Sequence, residues 1–196
     1  YIAKKLSELL DGAGADTKLS RPSITDVVSL DLNTSLNARA AMANAINADL
    51  FLSIHCNSFA LSSPNGTECH VYDKSSSVYG LAGEITKSIC ESLGTKNRGT
   101  KISKGLVVLR KTKMPAILIE TAFISNPSDA EKLKDTDAFA RAIFKAIKKY
   151  YGLEEKPMNE PEKAKYYVEG TTHVVEIDPR NIFAVETQMS TNKTPY

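Results

Sequence analysis

The sequence predicts an α/β domain in which a mostly parallel, twisted sheet is flanked by helices. Two short apolar runs, residues 50–54 and 116–119, lack regular polar alternation and are typical of strands buried on both faces. Segments with a helical period lie before, between and after them. This alternation of helix and strand favours a parallel sheet covered by helices.

The first third of the chain begins with a helical pattern, in which Ile2, Leu6 and Leu9 share one face. No capping residue precedes this helix, as expected of a sequence that begins inside one. Thr34 or Ser35 can cap the next helix. The predicted elements are a helix at 1–10, a short strand at 17–20, an irregular segment at 23–33 and a helix at 34–47.

The middle of the chain continues the alternation. Leu81, Ile85 and Ile89 recur every fourth residue on one helical face, and Gly94 follows as a C-terminal stop. The predicted elements are a polar loop at 58–66, strands at 67–72, 106–109 and 115–120, a helix ending at 93, a turn at 97–99 and a helix at 130–150.

The last part of the chain differs in composition. Residues 153–165 are rich in Glu, Lys and Pro and are predicted to form a linker after a domain at 1–152. Residues 166–196 contain three strand-like runs, at 166–168, 173–177 and 182–185. Because about thirty residues are too few for an independent core, they are interpreted as the beginning of a β-rich second domain.

Bulk composition excludes several classes of function. The 25 Lys and Arg residues against 23 Asp and Glu give a net charge of +2 and no case for nucleic-acid binding. No apolar run approaches the roughly 20 residues of a membrane span. The three cysteines lack C-x-x-C spacing, which argues against a disulfide framework and a structural zinc cluster.

Two polar residues stand at the predicted carboxyl ends of buried strands. His55 follows one strand and Glu120 the other, so their side chains would converge if the strands are neighbours. A neutral imidazole that binds zinc, beside a carboxylate that takes a proton from water, indicates metal-assisted hydrolysis. The alternatives are that a backbone carbonyl satisfies His55 and that Glu120 forms an ion pair in a solvated loop.

Several motifs carry a resemblance that covers Tyr1 to about Gly152. They are Leu36-Asn37-Ala38-Arg39 with Ala43-Asn44, Ser53-Ile54-His55-Cys56-Asn57, Asn97-Arg98-Gly99 and Leu118-Ile119-Glu120-Thr121-Ala122-Phe123-Ile124-Ser125-Asn126. In order and spacing the chain resembles the zinc-dependent N-acetylmuramoyl-L-alanine amidases of the amidase-3 type. The resemblance implies cleavage of the amide between N-acetylmuramic acid and L-alanine in peptidoglycan, with His55 as a zinc ligand and Glu120 as the carboxylate that activates water.

Two neighbouring side chains are candidates for substrate binding. Arg98 either contacts carboxylates of the substrate or pins its own loop, and the sequence leaves both readings open. Asn57, just past the candidate ligand, can orient groups in the cleft by hydrogen bonding.

The chain also departs from that family. A first zinc His in a Gly-rich turn and a zinc Glu ahead of the first helix are absent from this sequence, and we expect both to precede Tyr1. The fragment is then expected to be inactive or metal-poor. Glu68 and His70 share a strand face and form a possible local metal pair, although an exposed strand face is favoured. Cys56 is interpreted as a small buried residue.

The leading hypothesis is therefore a zinc-dependent peptidoglycan hydrolase, an autolysin or an endolysin, that acts outside the cell or in the cell wall. The alternative is a non-catalytic module that binds peptidoglycan. The tail from Tyr166, and residues 172–179 in particular, resembles the opening of phosphodiester-glycosidase-like domains, with a β-rich binding module as the alternative. That resemblance implies a second domain that acts on the cell envelope.

Overall fold

The computed structural model describes residues 1–22 and 31–153, together with the backbone of two strands at 164–167 and 174–177. The chain divides into two compact units, Tyr1–Glu154 and Glu155–Tyr196. In the second unit, β5 (Ala164–Tyr167) and β6 (Val174–Ile177) pair in antiparallel fashion. The strand predicted at 182–185 and most of the irregular segment predicted at 23–33 lie outside the described residues. A linker at 153–165 and a second domain from residue 166 stay predictions.

The first unit is an open sheet with helices on both faces. Its helices are α1 (Ile2–Gly12), α2 (Leu32–Ala45), α3 (Tyr79–Leu93), α4 (Val107–Lys111), α5 (Pro127–Lys132) and α6 (Thr136–Tyr151). Its strands are β1 (Phe51–Asn57), β2 (Thr67–Val71), β3 (Asn97–Ile102) and β4 (Ala116–Phe123). None of the helices in the described residues is long and apolar enough to cross a bilayer.

The sheet has the strand order β1-β4-β2-β3. The pairs β1/β4 and β2/β3 are parallel, and β2/β4 is antiparallel. The predicted fold class, an α/β domain with a mostly parallel sheet between helices, is confirmed for this unit, with one antiparallel junction at its centre.

Strand β4 is buried on both faces, as its apolar run predicts. Ile117 and Ile119 pack into the larger core with α1, α3 and α6, while Ala116 and Leu118 pack into a smaller core with α4. Because side chains alternate along a strand, Glu120 lies on the same face as Leu118. The smaller core ends there, and polar side chains continue that face of the sheet.

Three local predictions are wrong. Residues 17–20 do not form a strand, residues 97–99 belong to β3 rather than to a turn, and residues 106–109 lie in or beside helix α4. In α4, burial of Val108 and Leu109 against β4 overrides the strand preference of the valines.

The helix predicted at 130–150 is divided between α5 and α6. Asp135 interrupts it, since its side chain accepts a hydrogen bond from the Ala138 N–H and caps α6 as a new helix. Helix α2 begins two residues earlier than predicted, with Asp31 as its N-cap in place of Thr34 or Ser35.

Candidate active site

His55 and Glu120 lie opposite each other on neighbouring strands. The parallel register of β1 and β4 pairs His55 with Glu120, so the two strands are neighbours as the hypothesis requires. The residues do not end their strands as predicted, because β1 continues to Asn57 and β4 to Phe123. On the other side of β4, the antiparallel register pairs Glu120 with Glu68 of β2. Arg98 of β3 binds Glu68 in turn. A row of four ionisable side chains therefore crosses the whole sheet on one face.

Glu120 is a half-buried carboxyl group with an unsatisfied atom. Its Oε2 is buried and has no hydrogen-bond partner, and Glu120 forms no ion pair with the described residues. Burial first, and the negative charge of Glu68 second, raise the pKa of Glu120 to about 7. A carboxyl group with this pKa can both accept and return a proton near neutral pH.

His55 is held as a neutral imidazole. Desolvation of the ring by neighbouring protein atoms first, and the positive charge of Arg39 second, lower the pKa of His55 from its ordinary value, while the residue remains exposed on β1. Its Nε2 lies 2.8 Å from the hydroxyl oxygen of Ser53, two residues earlier on the same strand face. The observed partner of the ring is therefore a side-chain hydroxyl, whereas the alternative interpretation expected a backbone carbonyl. A neutral ring nitrogen at a strand end has the chemistry of a metal ligand.

The described residues supply only part of a zinc site. Catalytic zinc takes three protein ligands, whereas no group of three His, Cys, Asp or Glu side chains in residues 1–22 and 31–153 could hold a metal. The ring nitrogen of His55 is a suitable zinc ligand, and the carboxyl group of Glu120 is a suitable proton acceptor. Together they do not supply the three ligands that catalytic zinc takes.

The Glu68 and His70 pair is not a substitute metal site. The two oxygens of Glu68 are engaged by Arg98 and Asn57, and His70 donates or accepts through Nδ1 with the Ser103 hydroxyl at 2.8 Å. The strand face is also not exposed, since Glu68 retains 7% of its accessible surface. Glu68 is therefore the centre of an internal polar network, a role that the sequence pattern does not indicate.

A cleft of about 570 Å³ opens beside this network. It is lined by Asn57, Phe59, Ser63, Pro64, Glu68, Arg98 and Phe123. The guanidinium of Arg98 lies 4.9 Å from the centre of the Phe123 ring and donates to the Asn65 carbonyl at 3.4 Å. Arg98 thus pins the loop that borders the cleft and also forms part of the cleft wall. Both residues predicted to bind substrate, Arg98 and Asn57, lie in this one cleft.

Asp129 fixes the border of the cleft and is not singled out by the sequence pattern. It is 2% exposed, and its Oδ2 accepts hydrogen bonds from the backbone N–H groups of Gly66 and Phe123, at 2.7 and 3.0 Å. These bonds join the end of the 58–66 loop to the end of β4. Asn126 caps α5, and Asp129 lies in the first turn of that helix.

Gly66 closes the same loop in a conformation that suits glycine alone. Its φ is +110°, and a Cβ atom there would lie 2.3 Å from the carbonyl oxygen of Lys96. The chain can therefore pass close to β3 only without a side chain at this position.

The prediction that Cys56 is buried is wrong. Its side chain is exposed because β1 is an edge strand of the sheet, and its Sγ lies 3.7 Å from the Thr121 hydroxyl. Cys69, in contrast, is fully buried, and burial raises the pKa of that thiol to about 12. All three cysteines are free thiols.

The pKa of Glu120 predicts a pH dependence of stability in the metal-free protein. Because the pKa is raised from 4.5 to about 7, the folded chain holds a proton that the unfolded chain has released between these values. The associated stability is fully present below pH 4.5 and is lost as the pH rises through 7. Glu120→Gln should remove this loss and make the protein more stable than the wild type at pH 8. Urea unfolding at pH 5 and pH 8, in the presence of a chelator, measures the free energy of unfolding of both proteins. The same pH dependence in the wild type and in Glu120→Gln would contradict the prediction.

An open α/β sheet with paired side chains at its strand ends places the chain among α/β proteins whose site lies at the carboxyl ends of the strands. The family model described as N-acetylmuramoyl-L-alanine amidase matches residues 1–149, and the chain belongs to this family.

Individual relatives agree with this assignment. The chain is 41% identical over 156 residues to N-acetylmuramoyl-L-alanine amidase LytC of Bacillus subtilis, covering 76% of this chain and 30% of LytC. It is 33% identical over 152 residues to the probable cell wall amidase LytH of Staphylococcus aureus, covering 76% of this chain and 47% of LytH. The chain thus spans less than half the length of either relative.

A solved structure also shares the fold. The crystal structure of N-acetylmuramoyl-L-alanine amidase from Clostridium difficile 630 superposes with a TM-score of 0.66 at 30% identity. The match covers 77% of this chain and 80% of that one. The family model, in turn, matches residues 1–149, a range that contains β1, β4 and the loop at 58–66.

Proposed function

We propose that this protein hydrolyses the amide bond between the lactyl group of N-acetylmuramic acid and L-alanine in peptidoglycan. Family membership supports the reaction class, and the register that pairs His55 with Glu120 is the observation that carries the proposal. The relatives described as cell wall amidases support a place of action outside the cell or in the cell wall.

Glu120 is the proposed acid–base group. Its carboxylate accepts the proton that the attacking water loses when the water oxygen bonds to the amide carbon. It then delivers that proton to the nitrogen of L-alanine as the carbon–nitrogen bond breaks. The pKa near 7 supports both transfers, because neither protonation state is strongly disfavoured at neutral pH.

We infer that the reaction depends on zinc and that His55 is one of its ligands. Zinc would polarise the amide carbonyl and lower the pKa of water. His55 needs further ligands, since residues 1–22 and 31–153 contain no three-ligand group. On this proposal, the 196-residue chain alone binds little zinc.

Arg98 and Asn57 are proposed to bind the peptide part of the substrate. Both line the cleft and carry N–H groups that can donate to carboxylate or amide oxygens of a stem peptide. Because the charge of Arg98 is paired with Glu68 at 2.9 Å, we expect recognition by directed hydrogen bonds rather than by net positive charge.

A non-catalytic module that binds peptidoglycan is the second candidate, and the incomplete ligand set in the described residues favours it. The test uses the polypeptide encoded by the full reading frame and measures dye release from labelled cell-wall sacculi. The amidase predicts release that a chelator abolishes and added zinc restores. Binding to sacculi without release, with or without zinc, would overturn the amidase and support the binding module.

A further inference from the structure

Glu68 is a buried carboxylate on the floor of the cleft. It retains 7% of its accessible surface, and a buried charge is unfavourable unless it is paired and hydrogen-bonded. Its position on β2 lies between the strand that carries Arg98 and the strand that carries Glu120. The carboxylate therefore has neighbours on both sides within the sheet.

Each oxygen of Glu68 binds a different cleft residue. Oε2 accepts a hydrogen bond from Nε of Arg98 at 2.9 Å, and Oε1 accepts one from Nδ2 of Asn57 at 3.3 Å. Nε2 of His70 also lies 3.5 Å from Oε1. Arg98 is in β3 and Asn57 ends β1, at opposite edges of the sheet. Glu68 is thus the shared partner of two side chains that come from distant strands.

We propose that Glu68 is a positioning residue that orients Arg98 and Asn57 for the stem peptide of the muramyl substrate. The inference rests on the proposed amidase function. Glu68 acts through these two side chains and takes no part in proton transfer. Its bond to Nε fixes the plane of the guanidinium, which the Phe123 ring and the Asn65 carbonyl also hold, so the remaining donors face the cleft in one orientation.

This arrangement predicts a defect in substrate binding rather than in chemistry. A flexible Arg98 must be ordered when substrate binds, whereas a preordered one need not be. Glu68→Gln keeps the size of the side chain but removes the charge that holds Arg98. We expect KM to rise by about 10- to 100-fold and kcat to change by less than about threefold, the pattern of lost ground-state binding.

A cycle of variants tests whether Glu68 acts through Arg98. In the full-length enzyme, KM and kcat on a soluble muramyl peptide are measured for Glu68→Gln, Arg98→Met and the double variant. The double variant should have the KM of Arg98→Met alone, because the two changes remove one interaction. Glu84→Gln is the matched control, since Glu84 lies on α3 in an exposed ion pair with Lys149 and should leave both constants unchanged.

Three outcomes would overturn the inference. They are an unchanged KM in Glu68→Gln, multiplicative effects of the two substitutions, and a large loss of kcat with a shifted pH profile. The last outcome would make Glu68 a proton-transfer group. If Glu68→Gln does not fold because Arg98 is left unpaired, the double variant takes its place in the test, because it removes both charges. We expect the double variant to fold and to have the raised KM of Arg98→Met.

An NMR measurement separates this inference from the proposed reaction. The Nε–Hε signal of Arg98 should be protected from solvent exchange in the wild-type protein and lose that protection in Glu68→Gln, whether or not the protein cleaves peptidoglycan. Equal exchange in the two proteins would overturn the positioning role. Absence of cleavage by the wild type, with Arg98 protection lost in Glu68→Gln, would overturn the amidase and leave the Glu68–Arg98 clamp in place.

Discussion

Glu120→Gln is expected to lower the rate of amide cleavage by about 10³-fold, within the range of roughly 10²- to 10⁴-fold that general acid–base catalysis contributes. Glutamine has the shape of the native side chain but cannot take the proton from water or return it to the leaving nitrogen. Initial rates of product release from sacculi at pH 7, at saturating enzyme and zinc, measure the effect.

The fold of this variant should be intact. Removing a half-buried carboxylate whose pKa is raised by burial relieves an unfavourable charge, so Glu120→Gln should bind sacculi like the wild type. Glu91→Gln, an exposed acid of α3 in an i,i+4 ion pair with Lys87, is the control and should retain full activity. Wild-type activity in Glu120→Gln would show that the proton moves through another group.

Asp129→Ala is expected to lower the free energy of unfolding by about 4 kcal/mol, since each buried N–H group left without an acceptor costs roughly 1–3 kcal/mol. The N–H groups of Gly66 and Phe123 would both lose the same acceptor oxygen. The end of the 58–66 loop and the end of β4 would then separate or take up water. Urea unfolding at pH 7 measures the loss.

Two further aspartate substitutions serve as comparisons for the loss of unfolding free energy in Asp129→Ala. Asp129→Asn keeps one side-chain oxygen near both donors and should cost about half as much, because the neutral acceptor is weaker. Asp137→Ala removes an exposed carboxylate 3.8 Å from Lys5 and should change the free energy of unfolding by less than about 0.5 kcal/mol. A loss below about 1 kcal/mol in Asp129→Ala would mean that Asp129 does not anchor the loop.

The buried strands of the sheet follow directly from the sequence. A run such as Ile117 to Ile119 has no polar position, so burial on both faces is the stable outcome, although the strand does not end at Glu120 but continues to Phe123. The sequence predicts that His55 and Glu120 converge if their strands are neighbours, and the register of β1 and β4 shows that these strands are neighbours. Strand order itself depends on contacts between distant segments, which no local pattern encodes.

The misassigned elements have local signals that tertiary contacts override. Asn97, Arg98 and Gly99 have turn-forming composition, yet pairing with β2 and the bond from Arg98 to Glu68 hold them in a strand. The sequence pattern also does not indicate the roles of Glu68 and Asp129. Glu68 binds Arg98, which is 30 positions away in the chain, and Asp129 binds Gly66, which is 63 positions away. Their nearer partners, Asn57 and His70 for Glu68 and Phe123 for Asp129, add to these contacts.

The most direct test of the account is the chemical identity of the ends produced when the full-length protein digests purified peptidoglycan. We predict new free amino groups on L-alanine, equal in number to muramic acid residues that have regained a free lactyl carboxylate, and no new reducing sugar ends. Mass spectrometry of the soluble products distinguishes these ends. New reducing ends, or cleavage within the stem peptide without freed L-alanine amines, would contradict the assignment of this site to amide hydrolysis at N-acetylmuramic acid.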